Sequence, residues 1–208
     1  SYVKGKNCLW SIATAFGDNH MDLAMNMAKS ENLSDEQVNL LKQIGLVVNY
    51  NSYGQTLDDL FYSPEEIAEA VKACGSDVFR FTEQSDIFST LYENFSNDMA
   101  SAGCQEPYSI SKSGVIYKFP NEVWTHRIMG SFSNHLVSTN RDLACAISVL
   151  NSDGTYRISV RSSINDPHGA GDLCKKFGGG GREKAAGINN LLESELEEFK
   201  EEFEKLFG

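Results

Sequence analysis

The sequence lacks the features of membrane, disulfide-stabilised and extended nucleic-acid-binding proteins. No apolar run approaches the roughly 20 residues that a membrane helix needs, so no membrane partner is expected. The five cysteines are scattered and show no Cys-x-x-Cys spacing, which predicts reduced thiols in a cytoplasmic protein and argues against a zinc site. The 18 Lys and Arg against 29 Asp and Glu give a net charge of −11. A long nucleic-acid groove is therefore not expected, because such grooves need many cations.

The positive charge that the chain does have is concentrated in one segment. Residues 106–187 carry ten basic and seven acidic side chains. Residues 1–104 carry six basic and fifteen acidic, and residues 193–205 carry two basic and seven acidic. Residues 106–187 therefore form the only one of these three segments with a net positive charge.

That segment contains the stretch around which the rest is organised, FGGGGREKAAGIN at residues 177–189. Its backbone has no Cβ at Gly178, Gly179, Gly180 and Gly181, so successive amides can converge on one anion. Arg182 follows and can grip a phosphate with two parallel hydrogen bonds. The pattern predicts a phosphate-binding loop. The alternative is a flexible linker, but linkers are usually longer and padded with serine.

Helices dominate the pattern of the first half. The apolar run Cys8–Phe16, closed by Gly17 and Asp18, predicts a buried strand. Capping residues and apolar periodicity then predict helices. These span 20–29, a stretch that begins at Ser34, a stretch from Ser63 to Gly75, and 84–102.

Strands become frequent after a composition shift at residues 103–107, which predicts a domain boundary. Asn151-Ser152-Asp153-Gly154 is the clearest hairpin signal. Strands are predicted at 115–119, 123–129, 144–150, 156–160 and 187–192, and helices at 130–139, at 169–176 and near the C-terminus.

GGGGREKAAGIN is similar to the glycine-rich signature of the DHH-associated domain. This domain is the C-terminal lobe of DHH phosphoesterases such as RecJ-type exonucleases and small-oligonucleotide phosphodiesterases. The usual family pattern is Gly-Gly-Gly-His-x-x-Ala-Ala-Gly, and here Arg182 stands where histidine is usual. Two further stretches resemble family motifs: Arg127-x-x-Gly130-x-x-x-Asn134, and Ser159-Val160-Arg161-Ser162.

The resemblance implies an α/β fold in two parts. Residues 1–103 would be the mostly helical C-terminal portion of a DHH-type catalytic domain, and residues 107–208 a DHH-associated domain with a mixed sheet. The resemblance also implies a substrate phosphate site formed by Gly178, Gly179, Gly180, Gly181, Arg182, Arg161, Arg127 and Asn134. His126 and His168 are interpreted as ordinary surface histidines.

The stretch SIATAFGDN at residues 11–19 resembles the strand and turn that carry the last metal-binding aspartate of the family. It implies Asp18 as one ligand of Mn²⁺ or Mg²⁺; the other interpretation is an N-cap of the helix that contains Met21, and one residue could fill both roles. The other family ligands belong to an Asp-x-Asp motif, a lone Asp and an Asp-His-His motif, and the sequence contains no such motifs upstream of Asp18. The chain is therefore expected to be the C-terminal portion of a longer enzyme, with an upstream DHH lobe as its partner.

Two classes of function follow. The first is a metal-dependent hydrolase that cleaves short oligonucleotides or small nucleotide phosphodiesters, with the catalytic residues unassigned. The second is a nucleotide- or nucleic-acid-binding module without catalytic activity of its own. The oligomeric state is left open, with a homodimer among the alternatives.

Overall fold

The computed structural model describes residues 8–83 and 86–208 of the chain. The chain divides into two compact units, residues 1–97 and 98–208. The domain bounds drawn from the sequence, 1–103 and 107–208, stay a prediction. None of the described helices is long and apolar enough to cross a membrane.

The described part of the first unit is helical. Its helices are α1 (Cys8–Gly17), α2 (Met21–Ser30), α3 (Asp35–Tyr50), α4 (Pro64–Cys74), α5 (Arg80–Glu83) and α6 (Asp86–Gly103), with residue 97, the last of this unit, inside α6. The helix predicted at 84–102 is confirmed from Asp86 onward, and its first residues lie outside the described part.

The predicted strand at Cys8–Phe16 is wrong, because these residues form α1. Ile12, Ala13, Ala15 and Phe16 are all buried, so apolar residues face the core on more than one side of the helix. A short apolar run of this kind does not distinguish a strand from a buried helix.

Two of the predicted helix starts are confirmed in detail. The Ser34 hydroxyl accepts from the Gln37 backbone N–H (3.2 Å), and the Gln37 side chain accepts from the Ser34 N–H (3.0 Å). Ser63 and Glu66 form the same reciprocal pair at the start of α4. Each pair satisfies backbone donors that the first helical turn leaves without partners.

Helices α1 and α3 touch through two glycines. A Cβ at Gly45 would lie 1.9 Å from the Ala13 carbonyl oxygen, and one at Gly17 would lie 2.5 Å from the Gly45 oxygen. Only residues without a side chain permit backbones to approach so closely. This contact fixes the end of α1, from which Asp18 projects.

The second unit is a mixed α/β structure, which confirms the predicted class. Its six-stranded sheet has the order β1-β2-β3-β4-β6-β5, in which β2 and β3 are parallel and the other neighbours are antiparallel. The strands are β1 (Ser109–Ile110), β2 (Gly114–Phe119), β3 (Ala144–Leu150), β4 (Tyr156–Arg161), β5 (Gly180–Arg182) and β6 (Ala185–Leu191). The helices are α7 (Val123–Thr139), α8 (Ala170–Lys176) and α9 (Leu196–Phe207).

The predicted strand at residues 123–129 is wrong, because it forms the first half of α7. Thr125, Ile128, Met129, Phe132 and Ser133 are buried along this helix, at the spacing of one helical face. Burial of that face outweighs the strand preference of its β-branched and aromatic residues.

Helices cover the two faces of the sheet differently. On one face, α8 and α9 pack against alternate strand residues such as Ile158, Val160 and Ile188. On the opposite face, α7 packs over β3 and β4, and Val137 of α7 contacts Val115 and Cys145. We call this second face, which also carries Ser159 and Arg161, the α7 face.

Candidate functional site

The glycine run is not a free loop but enters the sheet. Gly180–Arg182 forms β5, which pairs antiparallel with Ala185–Gly187 of β6. A Cβ at Gly181 would lie 2.5 Å from the Ala186 Cα, and one at Gly179 would lie 2.3 Å from the Gly187 oxygen. Two of the four glycines are therefore required by packing, and the linker alternative is excluded.

Strand register places the two predicted arginines in one row. Arg161 of β4 lies opposite Ala185 of β6, and Ala185 lies opposite Arg182 of β5. Directly opposed residues project from the same face of a sheet, so both arginines belong to the α7 face. The next row on this face contains Ser159, Gly187 and Gly180. Small residues thus form the surface between the two cations (Ala185) and in the row beside them.

Arg161 is held in place by neighbouring polar groups. Its Nε donates to Asn134 Oδ1 (2.8 Å), and its Nη1 donates to Ser159 Oγ (3.1 Å) and to the Val160 carbonyl (3.0 Å). Ser159 also accepts from Ser133 of α7 (3.1 Å). The guanidinium plane is therefore fixed before any ligand arrives.

Arg182 contrasts with Arg161. It is exposed, and within the described part of the chain its side chain has no partner. The next residue, Glu183, ties the β5–β6 turn to α8: its carbonyl accepts from the Ala170 N–H and from the Ser162 hydroxyl. The turn is thus anchored while the arginine beside it is available to a ligand.

Arg127 lies in a different environment from the other predicted phosphate ligands. Its Nη2 pairs with Asp98 Oδ2 at 3.2 Å, and the two side chains are only 10% and 12% exposed. Asn134, two turns further along the same helix, contacts Arg161 instead. The structure thus joins Asn134 and Arg161 but gives Arg127 a carboxylate partner of its own.

Asp18 lies in the first unit, in an exposed turn after α1 and not after a strand. Asn49 Nδ2 lies 3.4 Å from its Oδ1. A groove of about 850 Å³ runs beside it, lined also by Trp10, His20 and Lys72. Among residues 8–83 and 86–208, no group of three or more His, Cys, Asp or Glu side chains could hold a metal ion. The described residues therefore do not supply a complete metal centre, and Asp18 as a ligand stays a prediction.

The buried thiols of the second unit are not activated nucleophiles. Burial raises the pKa of Cys145 to about 12, and burial likewise raises the pKa of Cys174 to about 12. Thiols with such values stay protonated and inert at neutral pH. His126, predicted to lie on the surface, is 2% exposed because it belongs to the buried face of α7, whereas His168 is exposed as predicted.

Sequence reasoning missed three parts of this region. The Ser133 hydroxyl donates a hydrogen bond to Ser159, and Asp98 forms an ion pair with Arg127. A cleft of about 580 Å³ also opens between residues 177–180 and 187–190. Only the cleft had a signal in the sequence. Glycine in or beside a strand often marks a place where a ligand or another backbone approaches closely.

Comparisons with known proteins agree with this picture of the second unit. The DHHA1 domain family matches residues 112–208. A search of curated proteins finds no match to the chain.

Three solved structures are similar to parts of the chain. The C-Ala domain of Aquifex aeolicus alanyl-tRNA synthetase is 14% identical, with a TM-score of 0.39 over 49% of this chain and 97% of that one. The pGpG-specific phosphodiesterase PggH from Vibrio cholerae is 11% identical, with a TM-score of 0.44 over 82% of this chain and 50% of that one. An exopolyphosphatase-related protein from Bacteroides fragilis is 16% identical, with a TM-score of 0.43 over 88% of this chain and 55% of that one.

The chain thus spans about half the length of the phosphodiesterase and of the exopolyphosphatase-related protein. The family match includes the whole β2–β6 sheet, the glycine run and both arginines of the row. The resemblance stated from the glycine signature is confirmed for residues 112–208, which match the DHHA1 domain family.

Proposed function

We propose that the chain is the C-terminal portion of a metal-dependent DHH-family phosphoesterase. It would act on short oligonucleotides or small nucleotide phosphodiesters, and its second unit would bind the substrate phosphate. The observation that carries this proposal is the row on the α7 face, in which a fixed arginine and an exposed arginine flank a small residue (Arg161, Ala185, Arg182).

The row suits a phosphate for three reasons. Neighbouring strands are about 4.8 Å apart, so the two arginine Cα atoms are separated by about 10 Å, a distance that two long side chains can close around one anion. Ala185 between them and the glycines of the next row leave room for a phosphate close to the backbone. Arg161 needs no reorganisation to bind, because Asn134 and Ser159 already fix its guanidinium. Such a site would contribute to catalysis by orienting the substrate and neutralising its charge.

The binding test is calorimetric titration of a 5′-phosphorylated dinucleotide into the purified chain. Hydrogen bonds to charged groups contribute about 1.5–3 kcal/mol each, so Arg182→Ala should weaken binding about tenfold to a hundredfold. Arg161→Lys keeps the charge but loses the planar fork, and we expect a similar loss. Lys112→Ala, at an exposed lysine between β1 and β2, is the control for the loss of one positive charge. Equal binding by the wild type and both arginine variants would refute the site.

A divalent cation, Mn²⁺ or Mg²⁺, would supply Lewis-acid chemistry when bound. Asp18 would provide one carboxylate ligand, and the remaining ligands would have to come from outside the described residues. We therefore expect the 208-residue chain alone to bind Mn²⁺ weakly and to lack phosphodiesterase activity. Turnover of a dinucleotide by the chain with added Mn²⁺, abolished by Asp18→Asn, would contradict this expectation.

A second candidate function is a nucleotide-binding module without catalysis. It is favoured by the lack of a carboxylate and histidine cluster within the described residues. The two candidates differ in the protein encoded by the full gene: an upstream Asp-His-His segment and hydrolysis support the enzyme, whereas binding without hydrolysis supports the module.

A further inference from the structure

Strand β6 contains an irregularity beside the arginine row. Ile158 of β4 pairs with Ile188, but Tyr156 pairs with Leu191, so one residue of β4 faces two residues of β6. That residue is Arg157, and the two opposite are Asn189 and Asn190. This is a β-bulge, which commonly redirects side chains near functional sites.

The bulge brings both asparagine side chains to one side. Ile188 and Leu191, which flank them, are 2% and 0% exposed and belong to the core beneath α8 and α9. Asn189 and Asn190 are both exposed, so both project away from that core. In a regular strand, one of two consecutive residues would have pointed inward.

Arg157 lies on the same side of the sheet as the two asparagines. Its neighbours Tyr156 and Ile158 are buried in the α8 and α9 core, so Arg157 projects from the α7 face, as Arg161 does. Its Nε is buried, and within the described part of the chain this nitrogen has no hydrogen-bond partner. The buried Nε itself has almost no accessible surface, so a ligand acceptor would have to be met by the Nη groups of this half-buried guanidinium.

Hydrogen bonds from a neighbouring turn hold the bulged part of β6 in place. The Asn151 side chain, in the β3–β4 turn, donates to the Asn189 carbonyl (2.9 Å) and to Thr155 Oγ1 (2.9 Å). The described pairing of β5 with β6 ends at Gly187. Beyond that point the 580 Å³ cleft opens; Asn189 and Asn190 line it, and Arg157 lies on the neighbouring strand β4, outside its lining. Cavities of about 300–1,000 Å³ are typical of small-molecule sites.

The chemistry of these side chains does not match a phosphate. A phosphate offers only acceptors, whereas each carboxamide presents both a donor and an acceptor. Guanine matches the set: its O6 and N7 accept from an arginine fork, and its ring and exocyclic N–H groups can donate to carboxamide oxygens. Arg157 lies four residues before Arg161 on β4, about 13 Å away along the strand. That separation is comparable with the length of an extended nucleotide.

We infer that Arg157, Asn189 and Asn190 form a base-recognition subsite for guanine, adjacent to the phosphate row. The inference rests on the proposed function, since it requires that the row binds a nucleotide phosphate.

The test uses 5′-phosphorylated diguanylate, diadenylate and diuridylate, and an abasic dinucleotide with the same phosphates. We expect wild type to bind the guanine probe roughly tenfold more tightly than the others, the discrimination typical of one bidentate contact. Asn189→Ala with Asn190→Ala, and separately Arg157→Met, should remove this preference and leave the affinity for the abasic probe unchanged. Arg182→Ala is the matched control, because it should weaken binding of all four probes by the same factor.

Each outcome decides between the two proposals. If wild type binds all four probes equally, or if the variants keep the guanine preference, the base subsite is refuted and the phosphate row stands. If no probe binds, both proposals fail. Asn190→Leu, which keeps the approximate size and removes the carboxamide oxygen that would accept from guanine, replaces the double variant if that protein does not fold, and it should also reduce the guanine preference.

Discussion

The two units use their polar side chains differently. In the first unit, the buried Asn51 accepts from the backbone N–H groups of Phe61 and Tyr62 and donates to the Tyr62 carbonyl. Asp59 likewise accepts from the Gln55 and Thr56 backbones. In the second unit, the Arg157 Nε and the exposed side chains of Arg182 and Lys184 have no hydrogen-bond partner within the described residues.

This difference separates structural polar groups from candidate ligand-binding groups. A polar side chain whose hydrogen bonds are satisfied internally stabilises its own fold, and its loss lowers the free energy of unfolding. A cation without a protein partner contributes little to folding and is available to an anion. The first unit should therefore respond to substitution mainly in stability, and the α7 face of the second unit mainly in binding.

The largest effect is expected at the helix contact of the first unit. Gly45→Val would place a branched side chain where even a Cβ is 1.9 Å from the Ala13 oxygen. We expect a loss of about 3 kcal/mol or more, because α1 and α3 must separate. The measurement is the urea unfolding midpoint. Gly103→Ala is the control, since outside its chain neighbours and the backbone of its own helix the added Cβ would meet no described atom within 4 Å. An unchanged midpoint for Gly45→Val would mean that the helices do not pack as closely as described.

The next largest effect is expected at Asp98, and it tests whether Arg127 stabilises the fold or binds a ligand. Asp98→Ala would leave a guanidinium that is 10% exposed without its carboxylate, which typically costs about 3 kcal/mol. Lys175→Ala removes an exposed i,i+3 pair with Asp172 and should change stability by less than about 0.5 kcal/mol. If Asp98→Ala leaves the unfolding midpoint unchanged and Arg127→Ala abolishes nucleotide binding, the ligand role predicted from sequence is right.

Substitutions at two neighbouring glycines of the glycine run separate an effect on stability from an effect on binding. Gly181→Ala should destabilise the second unit by about 1–3 kcal/mol, because the residue has a φ of 144° and its Cβ would approach Ala186. Gly180→Ala should leave stability nearly unchanged, because no described atom outside residues 179–181 lies within 4 Å of its added Cβ. It should still weaken binding of a phosphorylated dinucleotide, since the methyl group occupies the surface next to the arginine row. Unchanged binding by folded Gly180→Ala would place the phosphate elsewhere.

Sequence reasoning succeeded where local chemistry determines the structure. The capping pairs at Ser34 and Ser63 and the Asn151–Gly154 hairpin depend on neighbouring residues, so they could be predicted. Asn134 and Arg161, which the family resemblance placed in one phosphate site, are hydrogen-bonded to each other, and their role in binding stays a prediction. The helix α1 was missed because its burial comes from α3, which is distant in sequence.

The rest of the candidate site depends on strand register and on long-range pairs. Nothing in the local sequence indicates that Arg127 meets Asp98, 29 residues earlier. The bulge at Asn189 and Asn190 is visible only in the pairing with β4, because one extra residue leaves no compositional signal. Register therefore determines which polar residues share the α7 face, and register is a property of the folded sheet.

The smallest effect concerns the pH dependence of the second unit. Burial raises the pKa of Cys145 to about 12 from an ordinary value of 9.0. Between these values the unfolded thiol loses its proton while the folded thiol keeps it, so the unfolded state binds fewer protons and stability falls as pH rises. At pH 10 this amounts to about 1 kcal/mol relative to neutral pH. Cys145→Ala should unfold with a shallower pH dependence between pH 8.5 and about 10.5, even if its stability at pH 7 is lower. Parallel pH profiles for wild type and Cys145→Ala would show that this thiol ionises as readily in the folded protein as in the unfolded chain.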